Sequence, residues 1–177
     1  AEVKKTWVWE TNFVSDIGNM DLPAVGSRGK GNRSLIFQLA DGMMHAHVSE
    51  IQTGVYKKGH RHGPGYHVMI VKGTGFSLMW FDIDKDMERI EWKHGLVFPP
   101  ADRQFHQHFN TSKIPARYLA TRVGNRRYTF TAENRRNAGG GLEQAASTLS
   151  VKLGGDQIEY EDQDPRIHKI YVEEMRR

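Results

Sequence analysis

Apolar and polar positions alternate over short distances from about residue 33 to 130. The segments SLIFQLA, HVSEIQTGVY, HVMIVKG, GFSLMWFDI, ERIEW, GLVFPP, RYLATRVG and RYTFTA are rich in Val, Ile, Phe, Tyr, Thr and Trp, and Gly, Pro, Asn and Asp separate them. Such side chains fit a pleated, half-buried surface, so runs of this length and spacing predict the strands of an antiparallel sandwich or barrel. VKGTGFS reads as a hairpin, with Gly73 and Gly75 supplying the permissive backbone of a tight turn. Near the C-terminus the period changes. Asp164 and Pro165 form an N-cap and first-turn pair, and Ile167, Ile170, Tyr171 and Met175 then share one side, which predicts a short amphipathic helix at about 165–176.

This pattern divides the chain into an N-terminal arm at 1–32, a β unit at 33–132 and a C-terminal extension at 133–177. With 177 residues there is room for one domain with a sizeable core and too little for two ordinary ones. The glycine clusters within 138–141 and at 154–155 read as connections bordering a site, and the chain has no internal repeat.

Composition narrows the chemistry. With 38% apolar and 26% charged residues the chain is an ordinary globular one, and the absence of Cys removes disulfides, thiolate metal sites and thiol nucleophiles, leaving His and carboxylates as metal ligands. No window approaches a membrane-spanning apolar run, and the opening AEVKKTWVWE has no signal-peptide pattern, so the expectation is a soluble, cytoplasmic protein without a membrane partner. The net charge is +4, with a local excess in TRVGNRRYTFTAENRR. No helix-turn-helix, zinc-finger or aromatic RNA-binding signature accompanies it, so nucleic acid is not the expected partner, and a solvated basic edge or an anion-attracting mouth accounts for the same residues.

GHRHGPGYH places His60, His62 and His67 within nine residues around a Gly-Pro-Gly bend, and FHQHFN repeats the arrangement with His106 and His108. Residues i and i+2 of a strand share a face, so His60 and His62 offer two imidazoles to one ion, and a neighbouring strand can bring in His106, at nitrogen–metal distances of about 2.0–2.1 Å for a zinc-like cation. HAH at His45 and His47 has the same spacing without the surrounding glycines and reads as a surface or hydrogen-bonded pair.

The spacing around these histidines resembles the two motifs of the cupin superfamily. Gly54, His60, His62, Tyr66 and Gly73 stand in register with the first motif, and Gly95, His106 and Asn110 with the second. The resemblance covers about residues 40 to 125 and implies an all-β, cupin-type β-barrel (a double-stranded β-helix or jelly roll), here with the N-terminal arm and the C-terminal helix. Two departures stand out. The slot for the usual Glu ligand holds Tyr66 or His67, depending on the spacer, and imidazole chemistry together with alternation favours His67 as third ligand, with His60, His62 and His106 alone as the fallback and Tyr66 facing outward or lining the pocket. Where the second motif has Pro and Gly this chain has Ala101 and Arg103, with prolines at Pro99 and Pro100.

Within the cupins the local likeness is to gentisate-type ring-cleaving dioxygenases, which implies Fe(II) on His60, His62 and His106 with His108 as acid or base. A His-dominated set without carboxylate also suits Mn, Ni, Zn or Cu. A small-molecule substrate, anionic in one version of this reading, would meet a guanidinium, and Arg103 and Arg122 are the candidates, with Gln104 a further contact. Met69, Met79, Trp80, Phe98 and Tyr118 read as barrel wall. A metal-dependent lyase or isomerase and a non-catalytic ligand-binding barrel are the alternatives, and a homodimer is expected from the apolar sheet face and long arms.

Overall fold

The computed structural model describes residues 3–4, 8–40, 42–63, 66–123 and 147–177. RYTFTA, the glycines within 138–141, most of the basic cluster and the centre of the Gly-Pro-Gly bend lie outside the described residues. In chain order the strands are β1 (Val3–Lys4), β2 (Val8–Glu10), β3 (Asn32–Leu39), β4 (Met44–Ile51), β5 (Gly59–His60), β6 (His67–Lys72), β7 (Gly75–Trp80), β8 (Glu88–Trp92), β9 (Val97–Phe98), β10 (Phe105–Asn110), β11 (Ala116–Val123) and β12 (Gln157–Ile158), followed by helix α1 (Pro165–Met175). They form a seven-stranded sheet, β1-β2-β3-β4-β11-β6-β9, and a five-stranded sheet, β12-β5-β10-β7-β8. All pairings are antiparallel except β2 with β3. No helix among the described residues is long and apolar enough to cross a membrane.

The expected hairpin at VKGTGFS is a corner instead. β6 pairs with β11 and β9, whereas β7 pairs with β10 and β8, so Gly73 to Gly75 carries the chain from one sheet to the other. Gly73 has φ +83°, and a Cβ on Gly75 would lie 2.0 Å from the Phe109 carbonyl oxygen. Only glycine lets the chain turn and pass that close.

Three apolar clusters order the layers. Between the sheets lie Ile51, Val68, Ile70, Met79, Trp92, Phe98 and Ala116 with their neighbours. The outer face of the large sheet, with Leu35, Phe37, Ala46 and Val48, is covered by the arm through Trp9, Val14, Ile17, Met20 and Leu22. Arg117 fastens that cover, since its guanidinium pairs with Glu50 and donates to the Ile17 carbonyl. The outer face of the small sheet, with Phe76, Leu78, Trp80 and Phe109, is covered by Ile167 and Tyr171 of α1. β7 is therefore buried on both sides, which is why GFSLMW lacks polar alternation.

Helix α1 begins as the sequence predicts, with the Asp164 side chain accepting from the Arg166 N–H and Pro165 in the first turn. Asp164→Ala is expected to cost about 1 kcal/mol, read as a lower urea midpoint with an unchanged m-value.

Candidate metal centre

Inner-facing residues change character along each strand. On β4 they run His45, His47, Ser49, Ile51; the paired positions on β11 run Arg122, Ala120, Tyr118, Ala116. On β10 the sequence His106, His108, Asn110 lies opposite Met79, Ser77 and Gly75 of β7. One end of the interior is polar and the other apolar.

At the polar end His60 on β5 and His106 on β10 are directly paired. His62 lies beyond the end of β5, so strand geometry alone does not hold it. Arg61 holds it instead: its N–H donates to the Asp156 carbonyl at 3.0 Å and its Nε to the Asp156 carboxylate at 2.8 Å, while the Arg103 N–H donates to the His62 carbonyl at 3.1 Å. The ring centroids stand 4.4 Å apart for His60–His106, 4.7 Å for His62–His106 and 5.7 Å for His60–His62. Their candidate ligand atoms all lie within 4.8 Å of one another, and among the described residues this is the group that can hold a metal ion.

The hydrogen bonds set the tautomers. Nδ1 of His60 meets the Lys58 carbonyl at 3.1 Å, that of His62 the Gly63 carbonyl at 3.0 Å and that of His106 the Gln104 carbonyl at 3.0 Å. A carbonyl only accepts, so each Nδ1 carries the proton and each Nε2 keeps its lone pair. Burial above all, then Arg28 for His60 and the neighbouring His62 and His108 for His106, holds both well below the usual imidazole range. Three neutral, oriented nitrogen donors fit a divalent cation with coordination positions left over.

His67 does not join them. It is exposed and pairs with Thr121 of β11, while Val68 and Ile70 turn inward. Tyr66 lies beside the group instead, its ring 4.6 Å from that of His62. Arg103 also departs from expectation: its guanidinium forks onto both oxygens of Asp156 at 2.7 Å, fixing the C-terminal extension. Its own backbone is left-handed, with φ 60°. That conformation costs on the order of 1 kcal/mol for a residue with a Cβ, and the bidentate pair offsets it. Gln104 is buried and accepts from the Ala101 N–H. Met69 is 43% exposed rather than in the wall, whereas Met79, Trp80, Phe98 and Tyr118 are buried.

His108 faces inward. Its Nδ1 lies 2.7 Å from the Ser77 hydroxyl, which accepts from Trp92 Nε1 at 3.0 Å. His45 and His47 face the interior rather than the surface, and His45 Nδ1 lies 3.4 Å from Gln38 Nε2, so of the two readings the hydrogen-bonded one holds for His45. His47 lies 5.4 Å from Tyr66 and 6.0 Å from Tyr118, which in turn lies 4.9 Å from His108. Rings thus continue from the triad around the interior and back. Arg122 lies over the Tyr66 ring at 4.8 Å. Three participants escaped the sequence reading: Arg28 in the arm, buried Lys57 and the fastening Asp156.

These burials predict a pH dependence for the metal-free protein. Burial and the Arg122 charge lower His45 to about 4, and burial and the Arg28 charge lower His62 to about 4 against its Gly63 hydrogen bond. The unfolded chain, with imidazoles near 6.5, protonates first. Stability is therefore full above about pH 6.5 and falls as pH drops toward 4, by about 3 kcal/mol for each such histidine. Urea denaturation at pH 7.5, 6 and 5 checks this, and a flat profile would contradict it.

No family model matches the chain, and no curated protein matches it. Solved structures do. Peruvianin-I, a cysteine peptidase from Thevetia peruviana latex, superposes with a TM-score of 0.50 at 11% identity, over 62% of this chain and 70% of that one. The cupin domain of Cnp3 from Schizosaccharomyces pombe gives 0.49 at 17% identity, over 71% and 74%. Oxalate decarboxylase from Bacillus subtilis gives 0.47 at 15% identity, over 53% of this chain and 26% of that one, so the chain spans about a quarter of that enzyme's length. At such identities the likeness is one of fold. The two facing sheets, the corner crossing between them and the covered outer faces make this fold a cupin-type β-barrel, with a three-histidine group at its polar end.

Proposed function

We propose that the protein is a mononuclear metal-dependent enzyme, an Fe(II) dioxygenase acting on a small oxygenated or carboxylated organic substrate. The observation that carries this reading is the convergence of three Nε2 lone pairs, each oriented by an Nδ1–H···O=C hydrogen bond, with no carboxylate in the set. His60, His62 and His106 would hold the ion, which when bound supplies dioxygen activation. Tyr66, in ring contact with His62 and His47, lines the site. His108, 5.5 Å from His106 between ring centroids and steadied by Ser77, is placed to move a proton to or from a bound substrate. The buried rings keep water from the reacting atoms.

The test is elemental analysis of protein purified without added metal, followed by the spectrum of its nitric oxide adduct and turnover with and without dioxygen. Iron and oxygen-dependent turnover support the reading. Zinc, nickel or manganese with undiminished anaerobic turnover would replace it with a lyase or isomerase, and failure to bind any divalent ion with a ligand-binding barrel. A homodimer belongs to the same proposal: Met69 and Val97, paired across β6 and β9, leave apolar surface for a second copy, and sedimentation checks the state.

A further inference from the structure

The carboxylates near the polar end are each matched to a cation outside the ring of side chains. Asp156 takes Arg61 and Arg103, and Glu159 takes Lys58. Besides Arg122, which lies over the Tyr66 ring, two cations reach the interior, and neither of these two has a carboxylate among the described residues. Lys57 is 4% exposed, and its Nζ donates to the Ser49 hydroxyl at 3.1 Å and the Tyr118 hydroxyl at 2.6 Å. Arg28 donates to the Ser147 carbonyl, to the Ser147 hydroxyl at 2.9 Å and to Gln157 Oε1 at 2.9 Å. Among the described residues every partner is a neutral acceptor, so there the hydrogen bonds are met and the charge is not.

Both charges act on the same interior. Arg28 reaches it at β5, where its acceptor Gln157 is paired with His60 and the Lys58 N–H donates to the Arg28 carbonyl at 3.0 Å. Register places Lys57 one layer below the triad, because it contacts the Ser49–Tyr118 pair and its N–H donates to the His108 carbonyl at 3.0 Å. An uncompensated charge in low dielectric costs several kcal/mol, which a bound anion returns.

We propose that Lys57 and Arg28, with the Tyr118 hydroxyl, form an anion subsite that takes a carboxylate group. Resting on the metal-enzyme reading above, this makes the substrate a carboxylic acid, its carboxylate toward Lys57 and Arg28 and its reacting oxygen toward the three histidines. The subsite itself does not need the metal, and the test exploits that.

Calorimetry on the metal-free full chain would compare acetate, malonate and acetamide, a neutral analogue of acetate. Acetate and malonate are expected to bind and acetamide not. Lys57→Met, which keeps the volume and removes the charge, is expected to weaken carboxylate binding at least tenfold while leaving zinc affinity within threefold of the wild type. It is also expected to melt higher than the wild type in anion-free buffer, because the uncompensated ammonium is gone. If that variant fails to fold, Arg28→Gln provides the same test, with the same tenfold loss expected. Equal binding of acetate and acetamide, or wild-type carboxylate affinity in either variant, overturns the proposal. Should iron and oxygen dependence fail while carboxylate binding stands, the dioxygenase reading falls and the subsite survives.

Discussion

His106→Ala is expected to lower the affinity for Zn(II) or Co(II) at least about 100-fold and to abolish metal-dependent turnover. Removing one of three nitrogen donors leaves a two-point set, and changes even to residues that only orient ligands cost about 10- to 100-fold in affinity. His106 is the member with most to lose. It is 2% exposed, pairs across the strands with His60 and has its ring nearest both other rings. Competition against a chromophoric chelator measures the affinity, and far-UV circular dichroism shows whether the fold is kept. His67→Ala is the matched control: its side chain is exposed, and its affinity should stay within twofold. A His106 variant that binds as tightly as the wild type, or a His67 variant that does not, would contradict the ligand set.

Phe109→Ala is expected to destabilise the protein by about 3–5 kcal/mol, the range for deleting a large buried aromatic. Phe109 is fully buried on the outer face of the small sheet, where it stacks on Phe76 at 4.5 Å and 8° and on Tyr56 at 5.0 Å, and touches Tyr171 of α1 at 5.7 Å. Offset-stacked pairs add to the area term. The cavity would open beneath the helix, so the loss should appear both in the urea midpoint and in faster amide exchange of α1. A loss under about 1 kcal/mol would mean that the helix settles into the gap.

The strands, the helix start and the triad were legible because each is a local signal: β-branched runs, a cap with proline, and imidazoles two residues apart. What failed was parity. In HVMIVK both alternating sets are mostly apolar, so His67 with Met69 competed on equal terms with Val68 and Ile70, and a shift of one residue turns every side chain over. The decision lies in the pairing of Ile70 with Tyr118 and Val68 with Ala120, which no local pattern contains. His45 and His47 were misplaced for a related reason. Ala46 and Val48, on the apolar face of β4, look like the inward ones, yet they point outward beneath the arm. Arg28 and Asp156 lie far in sequence from the residues they serve. Arg103 could be recognised as standing in a glycine's place, but its partner could not.

Because two of the three apolar layers lie outside the barrel, under the arm and under α1, the inner surface has unusual latitude. In a protein with one central core, every exchange of an inner residue endangers folding. Here much of the cohesion sits where no ligand goes, so polar replacements at the upper positions of β4, β6 and β11 would alter selectivity at modest expense in cohesion. Such a scaffold is well suited to retargeting, by selection or by design, with the outer seams left untouched.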